Sequence, residues 1–448
     1  MVLGHNERMS SSPREAGQPR WPVAAGLIAG VALDALIGDP RRGHPVAAFG
    51  RAAAALEARD YADSRRRGAA HAAACVLAVA APAVALHRRT RGRPPWQAIT
   101  VATAVWAVTG ARSLHHEAER ACSSLRRRDL AAARAVLPSL CGRDPATLDA
   151  PGVARAVVES VAENTSDAVV APLLWGAVAG IPGLVAYRAV NTLDAMVGYR
   201  SARYRRFGWA AARTDDVANW IPARVTAALT AACAPLVTRT SPVSVLNVVR
   251  RDGGRHPSPN AGRCEAAFAA ALGVRLGGTN VYGGVTETRP FLGGTDLGDG
   301  RAPEPEDIRR AVLLSRAVTV SATALAVLAV LAGDGRLYRR MKKPTTKTIS
   351  ATMATHHSRC SANPAPNRAR MTSRARSKSN IVGLLLKPDW LTSTPGGFVK
   401  HLAPGGRPAG QHSSLHPCEG RCWSPGRVRT LARACWSPGC AGGCPGRA

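Results

Sequence analysis

Three carboxylates recur at four-residue spacing in Glu159-Ser-Val-Ala-Glu163-Asn164-Thr165-Ser166-Asp167. On an α-helix, positions i, i+4 and i+8 share one face within roughly 80° of arc. Like charges stacked so closely repel one another, and a divalent cation relieves the repulsion. Oxygen ligands of this kind suit Mg²⁺, which keeps several waters and bridges to phosphate oxygens. The bland alternative is a solvated acidic face. Against it, apolar residues begin at Ala168, and ionisable groups at a membrane boundary carry a functional expectation.

A second constellation is Asn191-Thr192-Leu193-Asp194, with Asn191 and Asp194 on one helical face and able to assist a cation or bond a polar substrate. Arg200, Arg203, Arg205 and Arg206 follow at once. Their guanidinium forks suit phosphate or carboxylate, and a basic loop beside lipid headgroups is the equal alternative. In Asp215-Asp216-Val-Ala-Asn219-Trp220-Ile-Pro222-Ala-Arg224, Asp215 and Asn219 share a face. Either aspartate could cap a helix. Arg224, just inside an apolar block, either pairs with one of these acids or binds phosphate. The fourth constellation joins His256-Pro-Ser258-Pro-Asn260-Ala-Gly262 to Leu276-Gly277-Gly278-Thr279-Asn280-Val-Tyr282-Gly283-Gly284. Glycines there let backbone N–H groups approach an anion, but the pattern is neither a P-loop nor a dinucleotide fingerprint. Any ATP site is of another kind.

The elements that must position these groups are apolar blocks. Residues 69–86 and 311–332 are mostly apolar over lengths that approach a bilayer core, with weaker blocks at 22–38, 96–111, 168–190 and 221–237. The expected fold is mostly α: a polytopic membrane helical bundle of about four to six spans with polar cytoplasmic or re-entrant segments. An Ala-rich soluble bundle imitates the pattern. Between the blocks, Arg112 to Leu137 reads as one amphipathic helix ended by Pro138, and Pro151-Gly152 opens the carboxylate helix. Residues 191–220 and 250–305 are polar, the latter with a short helix over 263–272 closed by Gly273.

The net charge of +31 invites a nucleic-acid partner, but residues 341–448 hold 17 Lys and Arg against Asp389 and Glu419, and the rest gathers beside apolar blocks. That placement suits membrane orientation and argues against nucleic acid. Arg339, Arg340, Lys342 and Lys343 put the C-terminal end in the cytoplasm. Residues 1–20 read as a disordered segment ahead of an uncleaved first span carrying Asp34. The 341–448 tail reads as disordered, with duplicated Cys-Trp-Ser-Pro-Gly runs that fit no usual zinc spacing, and as a possible non-native extension. The 11 cysteines show no paired framework and are expected to be reduced.

Taken together, Asp39-Pro-Arg41 with His44-Pro45, Gly142-Arg143-Asp144, the Glu159–Asp167 run, Asn191-Thr192-Leu193-Asp194, the run from Arg203 to Arg224, His256 to Gly262 and Leu276 to Gly283 resemble the adenosylcobinamide-phosphate synthases of cobalamin biosynthesis, the CobD/CbiB proteins. The resemblance covers about residues 22–335. It implies a catalytic domain over 21–340 in the plasma membrane, and ATP-dependent amide formation between adenosylcobyric acid and (R)-1-aminopropan-2-yl phosphate. Such a ligase activates a carboxylate and delivers an amine to it, which demands a cation, phosphate-binding groups and a base. On that reading Glu159, Glu163 and Asp167 hold Mg²⁺ with Asn191 or Asp194, and Asn164 and His256 join the catalytic set. Arg200, Arg203, Arg205, Asp215, Asp216, Asn219, Arg224, Asn260, Asn280 and Tyr282 hold substrate and phosphate. Implied partners are the corrinoid, the aminopropanol phosphate, membrane lipid and other enzymes of the pathway. Arg263-Cys264 and Ala168 depart from the family pattern, which has an aromatic, a proline and a glycine there. A membrane prenyl or alcohol phosphotransferase, and a corrinoid transporter or scaffold, are the competing readings.

Overall fold

The computed structural model describes residues 20–39, 43–199, 201–282, 285–294 and 300–341. Arg41, Arg200, the Tyr282 side chain, the basic run at Arg339–Lys343 and the two terminal segments therefore lie outside the described side chains.

The chain runs through helices α1 (Trp21–Ile37), α2 (Pro45–Asp60), α3 (Arg65–Thr90), α4 (Pro94–Val108), α5 (Ala111–Arg126), α6 (Leu130–Leu140) and α7 (Ala150–Thr165). A single π-helical turn, Ser166–Val170, joins α7 to α8 (Ala171–Val197). Then come α9 (Tyr204–Phe207), α10 (Trp209–Ala218), α11 (Trp220–Val237), α12 (Pro242–Asp252), α13 (Ala261–Leu272), strands β1 (Arg275–Tyr282) and β2 (Val285–Gly293), and α14 (Pro305–Met341). Local sequence sets many of these boundaries. Proline opens α1, α2, α4, α7, α8 and α12, where its missing N–H costs nothing. The Asp149 carboxylate caps α7 by accepting from Gly152 N at 2.8 Å. Gly273, at φ 67°, closes α13 in the left-handed conformation.

Four stretches are long and apolar enough to cross a membrane: Arg65–Thr90, Ala150–Val197, Trp220–Val237 and Pro305–Gly333. Only 17% of the most apolar window of α3 is buried, and Val178, Leu236, Val320 and Leu328 stand exposed on other spans. A water-soluble bundle would not leave so much apolar surface uncovered. Closest approach comes from Gly26 and Gly30 on α1, where a methyl group would overlap Val101 or Val105 of α4. Small residues four apart are how membrane helices pack tightly. The Ala171–Val197 helix kinks at Gly180 (φ 63°, ψ −153°), just before Pro182.

Two expectations change. Residues 112–137 form two helices, because Arg128 takes φ 60° and the Asp129 carboxylate caps α6 through Ala132 N at 2.9 Å. Pro138 sits inside α6 and ends nothing. The polar 250–305 segment contains an antiparallel hairpin, β1 with β2, irregular between Leu276 and Gly278. Its many glycines masked the strand signal.

Candidate active site

The carboxylate helix is not regular through its chemical stretch. The π turn inserts extra backbone at Ser166–Val170, a feature found mostly at functional sites. Its consequence is that Glu159, Glu163 and Asp167 do not share one face. They divide between two polar layers.

In the first layer, the buried Arg143 guanidinium donates to Glu159, whose other oxygen accepts from Gly277 N at 2.7 Å. Arg155, also on α7, grips the same strand, donating to the Gly277 carbonyl, to Thr279 O at 3.0 Å and to Asn280 Oδ1 at 3.1 Å. The hairpin is thereby pinned to α7. Asn280 is 1% exposed and its Nδ2 has no partner. Glu265 of α13, absent from the sequence-derived site, is buried here. Burial, reinforced by Glu159 and Glu163 and opposed by Arg143 and Arg289, pushes its carboxyl well above the usual range. His256 faces it, with Nε2 3.9 Å from Glu265 Oε1 and 3.3 Å from Arg289 Nη1. Its Nδ1 accepts from Ser258 N at 3.0 Å. Burial and the Arg289 charge lower His256 to about 4, so the ring is neutral near pH 7. Both ring nitrogens are engaged, and the residue shapes the loop as placed.

The second layer gathers around Asp167. Asn191 of α8 donates from Nδ2 to Asp167 Oδ2 at 3.4 Å and to Asp215 Oδ1 at 3.3 Å. Asn219 donates to Asp215 Oδ1 at 3.0 Å and accepts from the Tyr187 hydroxyl at 2.7 Å. Glu163, Asp167, Asp194, Asp215 and Asp216 are half-buried, so each keeps some accessible surface while their neighbours are sealed. Burial raises Asp215 to about 6, with Asn219 and Asn191 pulling down and Asp216 and Glu163 pushing up. Glu163 thus acts electrostatically on Asp215 in this layer and on Glu265 in the other.

Other expected site residues lie elsewhere or are otherwise engaged. Asn164 is buried and donates to Ser160 O at 2.8 Å within its own helix. Asp215 and Asp216 occupy the last turn of α10 and cap nothing. Asp216 accepts from Arg213 at 3.2 Å, and its carbonyl accepts from Asn260 Nδ2 at 2.8 Å, tying the His256–Asn260 loop to α10. Arg203 donates to Glu57 at 3.0 Å and stacks 4.0 Å over Tyr61, while Arg205 is exposed. Arg224 is buried, donates to Trp220 O at 2.7 Å and lies 4.0 Å over the Trp220 ring. Asn191 turns its oxygen to Arg188 at 3.4 Å, which makes its amide a bridge between acids and not a cation ligand.

Among the described residues, no three His, Cys, Asp or Glu side chains stand close enough together to hold a metal ion. The Glu159–Glu163–Asp167 ligand set is therefore not preassembled: Glu159 is neutralised by Arg143 and the π turn carries Asp167 away. The sequence reading passed over Tyr187 and Arg188, though an arginine inside an apolar block is itself a signal. Arg143 was legible as a motif but not as the counter-charge of Glu159.

The family model described as CobD/Cbib protein matches residues 27–315. A Mycobacterium tuberculosis protein named Cobalamin biosynthesis protein CobD is 54% identical over 307 residues, covering 68% of this chain and 96% of that relative. Proteins of the same name from Geobacter metallireducens and Rhodobacter capsulatus are 46% identical over 278 residues and 39% identical over 317. They cover 60% and 69% of this chain, and 86% and 98% of their own lengths. No solved structure matches. With a match across most of the membrane bundle and both polar layers, this chain belongs to the CobD/Cbib family.

Proposed function

We propose that the protein is a cobalamin biosynthesis enzyme of the plasma membrane that makes adenosylcobinamide phosphate from adenosylcobyric acid. The amine is (R)-1-aminopropan-2-yl phosphate, joined by ATP-dependent amide formation. The observation that carries this reading is the half-buried acid cluster Glu163, Asp167, Asp194, Asp215 and Asp216, set inside a membrane bundle of this family.

Asp167, Asp194 and Asp215 are hard oxygen donors in mutual repulsion, and in kind they fit Mg²⁺. When bound, Mg²⁺ supplies neutralisation of phosphate charge. The remaining work belongs to the protein. Asn191 and Asn219 orient Asp167 and Asp215, and Tyr187 fixes Asn219. Spans exclude bulk water, which strengthens every charge interaction in the site. In the neighbouring layer Glu265 favours its protonated form, a state able to hold a proton beside Glu163. Corrinoid, aminopropanol phosphate, lipid and other pathway enzymes are the partners this reading assigns, with no nucleic acid and a cytoplasmic C-terminal end.

The test is an assay of purified membranes with the corrinoid acid, the aminopropanol phosphate, ATP and Mg²⁺. ATP-dependent amide product is expected, and its absence from the intact chain overturns the ligase reading. Glu163→Gln is expected to abolish turnover with membrane insertion intact. Near-normal activity of that variant would remove the carboxylate from the mechanism.

A further inference from the structure

Arg188 is a buried cation whose protein surroundings do not account for it. It lies on α8 and is 6% exposed. Among the described residues it forms no ion pair. Its Nη1 donates to Asn191 Oδ1 at 3.4 Å, and its Nε has no partner. Taking a guanidinium out of water strips five N–H donors of their hydration, which is costly unless something replaces it. Inside a membrane span the requirement is stricter.

The neighbouring acids do not supply the replacement. Asp167 is close enough to feel the Arg188 charge, but its contact is with the Asn191 amide, and Asp215 is held by Asn191 and Asn219. The arrangement is a planar fork of donors one helical turn from the residue that organises the acid cluster. A guanidinium fork matches two phosphate oxygens at once. Carboxylates alone would repel that phosphate, whereas the same acids with a divalent cation would not. A cation and an arginine on opposite sides of a phosphoryl group are a recurring pairing.

We propose that Arg188 is the seat of a substrate phosphate in the acid layer, the role that sequence spacing assigned to Arg203, Arg205 and Arg224. This rests on the amide-ligase reading for the identity of the phosphate compounds, but not for the existence of the seat. The phosphate comes from the aminopropanol phosphate or from ATP, and direct binding separates the two.

Purified full-length protein in detergent with Mg²⁺ is titrated calorimetrically with (R)-1-aminopropan-2-yl phosphate and with ATP. Parallel titrations use 1-aminopropan-2-ol and adenosine. Arg188→Gln is expected to weaken one or both phosphate compounds by about 10- to 100-fold, the loss of hydrogen bonds to a charged group. The dephosphorylated compounds should bind as to wild type. Whichever compound weakens is the one whose phosphate occupies the seat. Unchanged affinity for both, or an equal loss for the dephosphorylated compounds, overturns the proposal and leaves Arg188 a counter-charge of the acids. If Arg188→Gln does not fold, Arg188→Lys decides on the same criterion, with an expected loss of about 2- to 10-fold from the missing fork. Because binding is read without turnover, a chain that makes no amide yet loses phosphate binding on substitution still has the seat.

Discussion

Two histidines make the residue-scale chemistry measurable outside the spans. His115 is lowered to about 4 by burial and by Arg316, and bonds Ser315 through Nε2 at 2.9 Å. His256 is lowered to about 4 in its loop. Between pH 6.5 and about 4 the unfolded chain binds protons that the folded chain refuses. Stability is therefore complete above pH 6.5 and is lost as pH falls through that window. The loss is on the order of 3 kcal/mol for each ring at full effect. Thermal melts from pH 7 to pH 5 should show a falling Tm, shallower in His115→Asn. A flat profile in wild type would contradict the burial of both rings. At this scale the sequence was legible for residue types and only partly for roles. Spacing flagged Asp167, Asn191, Asp215 and Asn219, which the fold brings into one hydrogen-bond network. It could not show that Glu159 is matched by Arg143 or that Glu265 joins from α13, because both depend on contacts across more than a hundred residues or between separate elements.

The π turn is the decisive element. A regular helix read from spacing puts three carboxylates on one face; the wider turn redirects the third. Nothing in Asn164-Thr165-Ser166-Asp167 announces the extra residue, so helical periodicity misassigned the face although it placed the helix itself correctly. Deleting Ala168, which lies within the turn, should restore ordinary helical register and displace Asp167. Displacements of that size cost about 100-fold or more in rate, so the deletion should show at least that loss in amide synthesis with helical content retained. Activity near wild type would detach the turn from catalysis. The α1–α4 contact offers a packing test. Gly30→Leu forces bulk against Val105, and overpacking of this kind costs about 1–3 kcal/mol. The detergent melt should drop accordingly, and an unchanged Tm would mean the helices are not in contact there.

Across the whole molecule, composition read the class of fold well. Apolar blocks at 69–86, 168–190, 221–237 and 311–332 coincide with the four spans long enough to cross a bilayer. The hairpin and the broken α5–α6 pair were hidden because glycine content and a single left-handed arginine carry no periodic signal. The family match ends at residue 315, and 344–448 lie outside it. A chain truncated after Lys343 is expected to insert in membranes and keep amide synthesis within about twofold, since surface and tail changes away from a site are usually near neutral. Loss of activity in an inserted truncation would assign the tail a working part.

Glu163 bears on Asp215 in one polar layer and on Glu265 in the other, which makes it a shared account of charge between them. Whatever stabilises ionised Glu163 from the Asp215 side also alters how firmly Glu265 keeps its proton. Thermodynamic reciprocity then requires the reverse: a ligand that changes the protonation of Glu265 must change cation affinity at the acid cluster by the same factor. The two layers are separate in contact but not in occupancy, and their filling is cooperative by necessity of that one side chain.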